Sequence, residues 1–401
     1  MLKFIKAAFA TVVLGLSLQH CAPKESKPEK YVAPPEFSAF LKHRQKWQEV
    51  LQRDSKISPL PLPLLHKEDS ARVGMNFRIE AGRKALGLTK SEIVLRNPYS
   101  PKPFPLSNSI IYLNNLVTLF EPGYFACYNI SNQARDEDFE RQLNTRKFEY
   151  HWLIGGQLIG LSKGKYYAFG AANGWVPYTA EVPFNKQPKL FEDERYLSFL
   201  TCNGEFGGEI YFYDKRQRIY YLTGATCPNS VFKQDGQYFV LSSLGHMMGG
   251  ANLQVIADPA KLRCWKGTQK PQDRKFSYGE QAPDTTGANR SKSVFEFYGV
   301  QVFAAFQLKG HQYYMVHWEG QTFLATIEKG LITLVDPLFN NSQFTHNPVT
   351  INYSPDLVLM NLDFYGLARE KEVACILIAG TRLLKINWND EKSNEALSMG
   401  Q

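Results

Sequence analysis

The chain lacks the short motifs that mark the commonest catalytic sites. It has no Gly-x-Ser-x-Gly elbow to hold a serine nucleophile, no P-loop to cradle phosphate and no dinucleotide fingerprint. No Cys-x-x-Cys pair or Cys/His spacing suited to zinc occurs. Past the N-terminus, no apolar run is long enough to cross a bilayer as a helix. Charge of one sign is not gathered anywhere. The formal net charge is +8 over 401 residues, and the basic residues are scattered, which argues against nucleic acid as a partner. The composition is neither collagen-like nor that of a disordered chain. These absences point to no cofactor and no metal.

Aromatic residues are plentiful. They make up 13% of the chain, with 21 Tyr and 27 Phe, and favour strands over helices. Residues 297–339 hold four apolar and aromatic runs in succession (297–306, 312–318, 321–327 and 331–335), cut by Lys309-Gly310, Glu319-Gly320, Lys329-Gly330 and Asp336-Pro337. Four short strands joined by tight turns in about 40 residues is the size of one propeller blade. Similar turns, each leading into a Tyr-centred strand, occur at Lys163-Gly164 and Asp235-Gly236. The three glycines lie 72 (236 − 164) and 74 (310 − 236) residues apart, which suits two blades per interval or one blade with an insertion. A second echo pairs 255–259 with 333–337, each closing on Asp-Pro. The predicted fold is all-β: a single β-propeller of five to seven four-stranded blades with a short N-terminal helix. The alternative is two β-sandwich or barrel domains split near residues 97–108.

The N-terminus reads as an address. Lys3 and Lys6 precede an apolar stretch over 7–18, which is followed by Leu18-Gln19-His20-Cys21. This resembles the lipobox of bacterial lipoproteins, and with the repeats the chain resembles bacterial propeller lipoproteins in general. The resemblance implies that Cys21 becomes the lipidated first residue. Because Ala22, not Asp, follows, it also implies sorting to the outer membrane, facing the periplasm or the cell surface. The membrane is then a partner through the lipid. Removing Lys3 and Lys6 leaves a mature chain of +6 (8 − 2). The expected division is a signal peptide over 1–20, a Lys-, Glu- and Pro-rich tether over 21–35, a helix and Pro-rich segment over 36–105 packed on the core, and the propeller over 106–401. Within 131–149, Phe139 and Leu143 stand at helical spacing and predict a surface helix or loop.

If Cys21 carries lipid, five cysteines remain. An exported chain meets an oxidising compartment. Cys202 and Cys227, in matching turn contexts, are the predicted disulfide, and Cys127 and Cys375 lie in apolar strands as buried thiols. The candidate binding residues are Trp175, Glu205 and His246. Trp175 follows Asn173-Gly174 at a loop tip, where it would anchor a sugar or a protein. Glu205 sits in the tip Cys202-Asn203-Gly204-Glu205. His246 lies in Gly245-His246-Met247-Met248-Gly249-Gly250, whose bland reading is a loop with packed methionines. Carboxylates at Glu192, Asp193, Glu194, Glu205 and Glu209 offer acid–base chemistry if two face each other, and otherwise read as solvated surface charge. The polar stretch 265–293 reads as a functional or disordered insertion. The expected function is a cell-envelope binding lipoprotein that contacts a protein or glycan through propeller loops. The alternative is a carbohydrate-active hydrolase or lyase with acids in a central funnel. No catalytic residue and no oligomeric state is assigned.

Overall fold

The computed structural model describes Lys42 and residues 76–388, apart from 83–84, 246–248, 268–269, 272–284, 287–289, 319–320, 340–343 and 366–370. Cys21, the leader and tether, the helix expected from residue 36 onward apart from Lys42, and His246 with its two methionines lie outside the described residues.

The chain is a six-bladed β-propeller. Blades one to six start from the inner strands Ile110–Tyr112, Tyr150–Ile154, Lys189–Glu192, Pro228–Gln234, Gln301–Leu308 and Val349–Ser354. Each blade then meanders outward through antiparallel partners. In blade five these are His311–Trp318, Gln321–Glu328 and Leu331–Phe339, so most of the stretch 297–339 is one blade. Its first run is two strands, however. Gly299, at φ 81°, breaks it, and Lys292–Tyr298 is the outer strand of blade four. Blade one is shortest, with three strands and a single bridge between Tyr128 and Arg135 in place of a fourth.

The two-residue turns Lys163-Gly164, Asp235-Gly236 and Lys309-Gly310 all have positive φ at both positions, the mirror-image turn that matches strand twist. They are not all equivalent. The first joins the second and third strands of blade two, and the others join first to second in blades four and five. Only the second interval is one repeat, lengthened by an insertion. The Asp-Pro echo also fails. Asp258-Pro259 follows the third strand of blade four, whereas Asp336-Pro337 lies within the fourth strand of blade five.

Hydrophobic clusters fill the gaps between blades, as between Phe199 and Trp152 (blades three and two) or Leu190 and Val240 (three and four). The one described α-helix, Glu137–Leu143, buries Phe139 and Leu143 against blades one and two. Asp136 caps it by accepting from Phe139 N.

Ring closure uses sequence from both ends of the described region. Blade one meets blade six through Ile111, Phe120, Leu377 and Trp388. Asn361 of blade six clasps the backbone of Ser109, accepting from its N–H at 2.8 Å and donating to its carbonyl at 3.1 Å. Outside, a strap runs round the ring. Asn76 bonds both Glu296 O and Tyr298 N on the edge of blade four. Arg78–Ala81 adds a parallel strand to blade five, and Thr89–Val94 does the same on blade six. Tyr99 and Phe104 then pack where blade six meets blade one. No domain break occurs near 97–108, so the two-domain alternative is excluded.

The stretch 265–293 is partly blade structure. Arg263–Trp265 and Thr285–Thr286 extend the outer edge of blade three, and Lys292–Tyr298 then returns to complete blade four. Trp265 is buried, and Lys270 Nζ donates to Val182 O at 2.9 Å. The insertion stitches two neighbouring blades together.

Candidate functional site

Among the described residues, the inner strands of blades three to six pack directly on one another across the ring. Leu190, Val231, Val349 and Ile351, from blades three, four and six, belong to one apolar cluster near the axis. Beside this plug lies a cleft of about 370 Å³ walled by blades one, two, three and six. Its polar lining includes Asn108, Lys189, Glu192, Lys215 and Asn352.

A β-bulge builds the charged wall. Side chains three apart on a regular strand point to opposite faces. In blade three, Lys189 pairs with Phe199 but Phe191 pairs with Ser198, so Leu190 is an extra residue. The bulge turns Lys189 and Glu192 to the same side, where Lys189 Nζ bonds Glu192 Oε2 at 2.8 Å. Lys215, from the next turn of the blade, bonds Glu192 Oε1 at 3.1 Å and donates to Asp193 O. Gly155 N, from blade two, donates to Glu192 Oε2 at 2.9 Å. Lys189 and Glu192 side chains are each only 12% exposed. Burial pulls the Lys189 ammonium below its usual range, against the pull of Glu192. Burial alone would raise the Glu192 carboxyl, but the two lysines and Gly155 N outweigh it and hold it low.

Asp193 turns the other way, into a second cleft of about 350 Å³ between blades three and four. Its Oδ2 accepts from Lys233 Nζ (2.8 Å) and Tyr238 OH (2.6 Å), and its Oδ1 from the N–H groups of Arg195 and Tyr196. Burial opposes ionisation, but Lys233 and these donors prevail, so the carboxyl is lowered to about 2. Both clefts reach the same end of the propeller. There the turns joining first to second and third to fourth strands gather, including Gly155-Gly156, Asp193–Arg195 and Lys215–Arg218.

Glu192 and Asp193, which line these clefts together with Glu194 and Asp258, are both ion-paired and held ionised. A glycosidase needs one carboxyl kept protonated to donate to the leaving group. Neither Glu192 nor Asp193 is placed for that. Glu209 lies elsewhere on blade three, paired with Arg263 at 3.3 Å.

The residues singled out in the sequence do not converge on the clefts. Trp175 is buried, not a loop-tip anchor. It packs against Phe125, Phe148 and Phe169, and Nε1 donates to Leu143 O at 2.8 Å. The reason is position: its strand, Gly174–Pro177, faces the helix and blade one. Glu205 is exposed in the short 3₁₀ turn Gly204–Phe206, at the end of the propeller away from the clefts. A disulfide joins Cys202 and Cys227, on either side of that turn. Cys127 and Cys375 are buried thiols. His151 lines the cleft wall but is fully buried, with Nδ1 2.7 Å from Ser107 Oγ, and burial lowers it to about 4. His317 bonds its cross-strand partner Thr322 at 2.9 Å. Sequence reading missed Lys189 and Lys215, because nothing in Pro188-Lys189-Leu190-Phe191-Glu192 announces the bulge.

No family model and no curated protein matches the chain. Among solved structures, the chain is similar to the N-terminal domain of Nup159, at 11% identity over 78% of this chain and 90% of that one, with a TM-score of 0.34. It is similar to the β-propeller domain of the Trilobed protease from Pyrococcus furiosus, at 12% identity over 72% and 98%, with a TM-score of 0.31. It is also similar to PorZ, a surface component of the type-IX secretion system of Porphyromonas gingivalis, at 10% identity over 71% and 37%, with a TM-score of 0.30. Similarity this low assigns no activity, and the six-bladed ring is what stands for this chain.

Proposed function

We propose that this protein is a cell-envelope binding lipoprotein, held to the outer membrane through Cys21, that contacts a protein or glycan partner through one propeller face. The observation that carries the reading is the pair of polar clefts side by side at the turn end of blades two to four, divided by Asp193. Grooves walled by rigid inner strands and rimmed by turns are where a propeller presents binding groups. Exposed Glu194 and Arg216 stand on that rim. The Leu18-Gln19-His20-Cys21 segment supports the lipid anchor.

The test is retention of the purified mature domain on isolated cell envelopes. Arg216→Glu and Glu194→Lys, both at exposed positions, are expected to weaken retention at least tenfold. Glu205→Lys, at the opposite end, should leave it unchanged. Equal retention by all three variants and the parent would refute the face assignment. Mass spectrometry of the mature N-terminus tests the anchor: a diacylglyceryl mass on Cys21 supports it, and an unmodified terminus elsewhere ends it.

A further inference from the structure

The end of the propeller away from the clefts gathers positive charge on blades one and two. The turn between the second and third strands of blade two is Lys163-Gly164, followed at once by Lys165. The segment leading into blade two supplies Arg146, Lys147 and Glu149, and the segment leaving it supplies Lys186. Glu149 ties these together. Its Oε1 accepts from Lys163 N at 2.9 Å and its Oε2 from Lys186 Nζ at 3.1 Å, while Ser162 Oγ donates to Lys147 O at 2.7 Å. At the matching turn of blade one, Lys102 pairs with Glu121 at 2.7 Å. Phe148 N donates to Gly123 O at 2.8 Å and joins the two turns.

Six cationic side chains thus stand with two carboxylates, a local excess of four positive charges (6 − 2). Glu181, the next acid along the connector, turns toward blade three and accepts from Tyr213 OH at 2.8 Å. The five lysines of the patch are all exposed. Arg146 and Lys147 lie over the rings of Tyr167 and Tyr124, at 4.0 and 5.7 Å, which holds both cations in place without neutralising them. A second, independent feature marks the same end. Leu106, whose N–H donates to Leu119 O, is 43% exposed, and Phe206 in the 3₁₀ turn of blade three is 54% exposed. Exposed cations accompanied by exposed apolar side chains suit the interface of an anionic bilayer, where the first meet phosphates and the second meet the acyl boundary.

We infer that this end of the propeller rests on an anionic lipid surface, with its lysines on headgroup phosphates, so that the clefts at the other end face away from the membrane. The inference rests on the anchor proposed at Cys21, which puts the chain against lipid, and adds to it a contact made by the folded domain.

Vesicle co-sedimentation of the whole mature chain carrying Cys21→Ser, which bears no lipid, tests it. Vesicles of phosphatidylcholine alone are compared with vesicles of equimolar phosphatidylcholine and phosphatidylglycerol. The expected result is binding at least tenfold tighter on the anionic vesicles and lost at about 0.5 M salt, where charge is screened within about 4 Å. Lys163→Gln with Lys165→Gln should weaken it about 25-fold, from about fivefold for each lysine near a charged lipid surface. Lys309→Gln, at an exposed turn of the cleft end, should change it less than twofold. Circular dichroism checks that each variant is folded, and Lys147→Gln with Lys186→Gln repeats the test if the hairpin pair is not. Equal binding to both kinds of vesicle, binding unchanged in the double variant, or capture by heparin without binding to vesicles would each overturn the inference. The other tests report separately. An unmodified N-terminus ends the anchor and leaves a vesicle result standing, whereas absence of vesicle binding ends this contact and leaves the anchor. Envelope retention read at about 0.5 M salt, which releases this contact, isolates the cleft face.

Discussion

His151 is buried and His317 half-buried among its sheet neighbours, and desolvation lowers each to about 4 from an ordinary 6.5. Both are therefore neutral in the folded chain at pH 5, whereas the unfolded chain protonates them. For a histidine depressed this way, stability is complete above about pH 6.5 and is lost as pH falls toward 4. The loss is about 1.4 kcal/mol per pH unit for each histidine. Asp193, lowered to about 2, behaves as a salt-bridged acid: its contribution holds above pH 3.8 and disappears only below that. The two windows do not overlap. Urea titrations at pH 7 and pH 5 should show a drop in stability, with proton uptake on unfolding close to one per histidine. His151→Gln and His317→Gln should each remove about one of those protons at pH 5. An uptake unchanged in both variants would refute the assignment. The three positions differ in what a residue alone discloses. The His317–Thr322 pair follows from strand alternation across a hairpin, whereas burial of His151 requires knowing that blade one covers it.

At the scale of elements, the bulge in Lys189–Glu192 and the clasp by Asn361 do most to shape the molecule. The bulge converts a strand with one charge on each face into a wall with both on one face. The clasp gives the inner edge of blade one hydrogen bonds where it has no strand partner from blade six. Asn361→Leu keeps the volume but removes both bonds to Ser109. The predicted loss is about 1–3 kcal/mol for each backbone group left unpaired. Hydrogen exchange should show the Ser109 amide losing protection by at least a factor of ten, while amides of blade four are unaffected. Retained protection at Ser109 would mean that the clasp is dispensable. Neither device is legible in sequence. A bulge leaves no fixed residue signature in Pro188-Lys189-Leu190-Phe191-Glu192, and Asn361 is separated from Ser109 by 252 residues. The hairpin turns were legible because Lys-Gly and Asp-Gly carry their conformational requirement locally.

For the whole ring, the strap is decisive. Lys90, on the strap strand of blade six, bonds Asp336, a fully buried carboxylate of blade five, and donates to Pro337 O at 2.7 Å. Strap and ring are thus joined across two blades. Lys90→Met removes this ion pair from the buried Asp336, at a cost of about 3 kcal/mol, the low end for breaking such pairs because Lys90 is 33% exposed. Lys90→Met with Asp336→Asn should recover much of that loss, and a double-mutant cycle by chemical denaturation measures the coupling. Coupling below about 0.5 kcal/mol would show that the strap does not draw on this pair.

The sequence by itself determined the class of fold and the hairpin grammar. Aromatic and β-branched runs, cut by turns that demand positive φ, specify strands one hairpin at a time, and these are local properties. The cysteine contexts of 202 and 227 were read on the same local basis. Tertiary structure decided the count of six blades, the stitching of 263–298 across blades three and four, and the strap. These rest on pairings between segments far apart in the chain. It also decided the site. Trp175 looked like a binding tip and is core because of what packs over it. Lys189, Glu192, Lys215 and Asn352 look like ordinary surface residues, and they meet in one cleft only because a bulge and four converging inner strands bring them there.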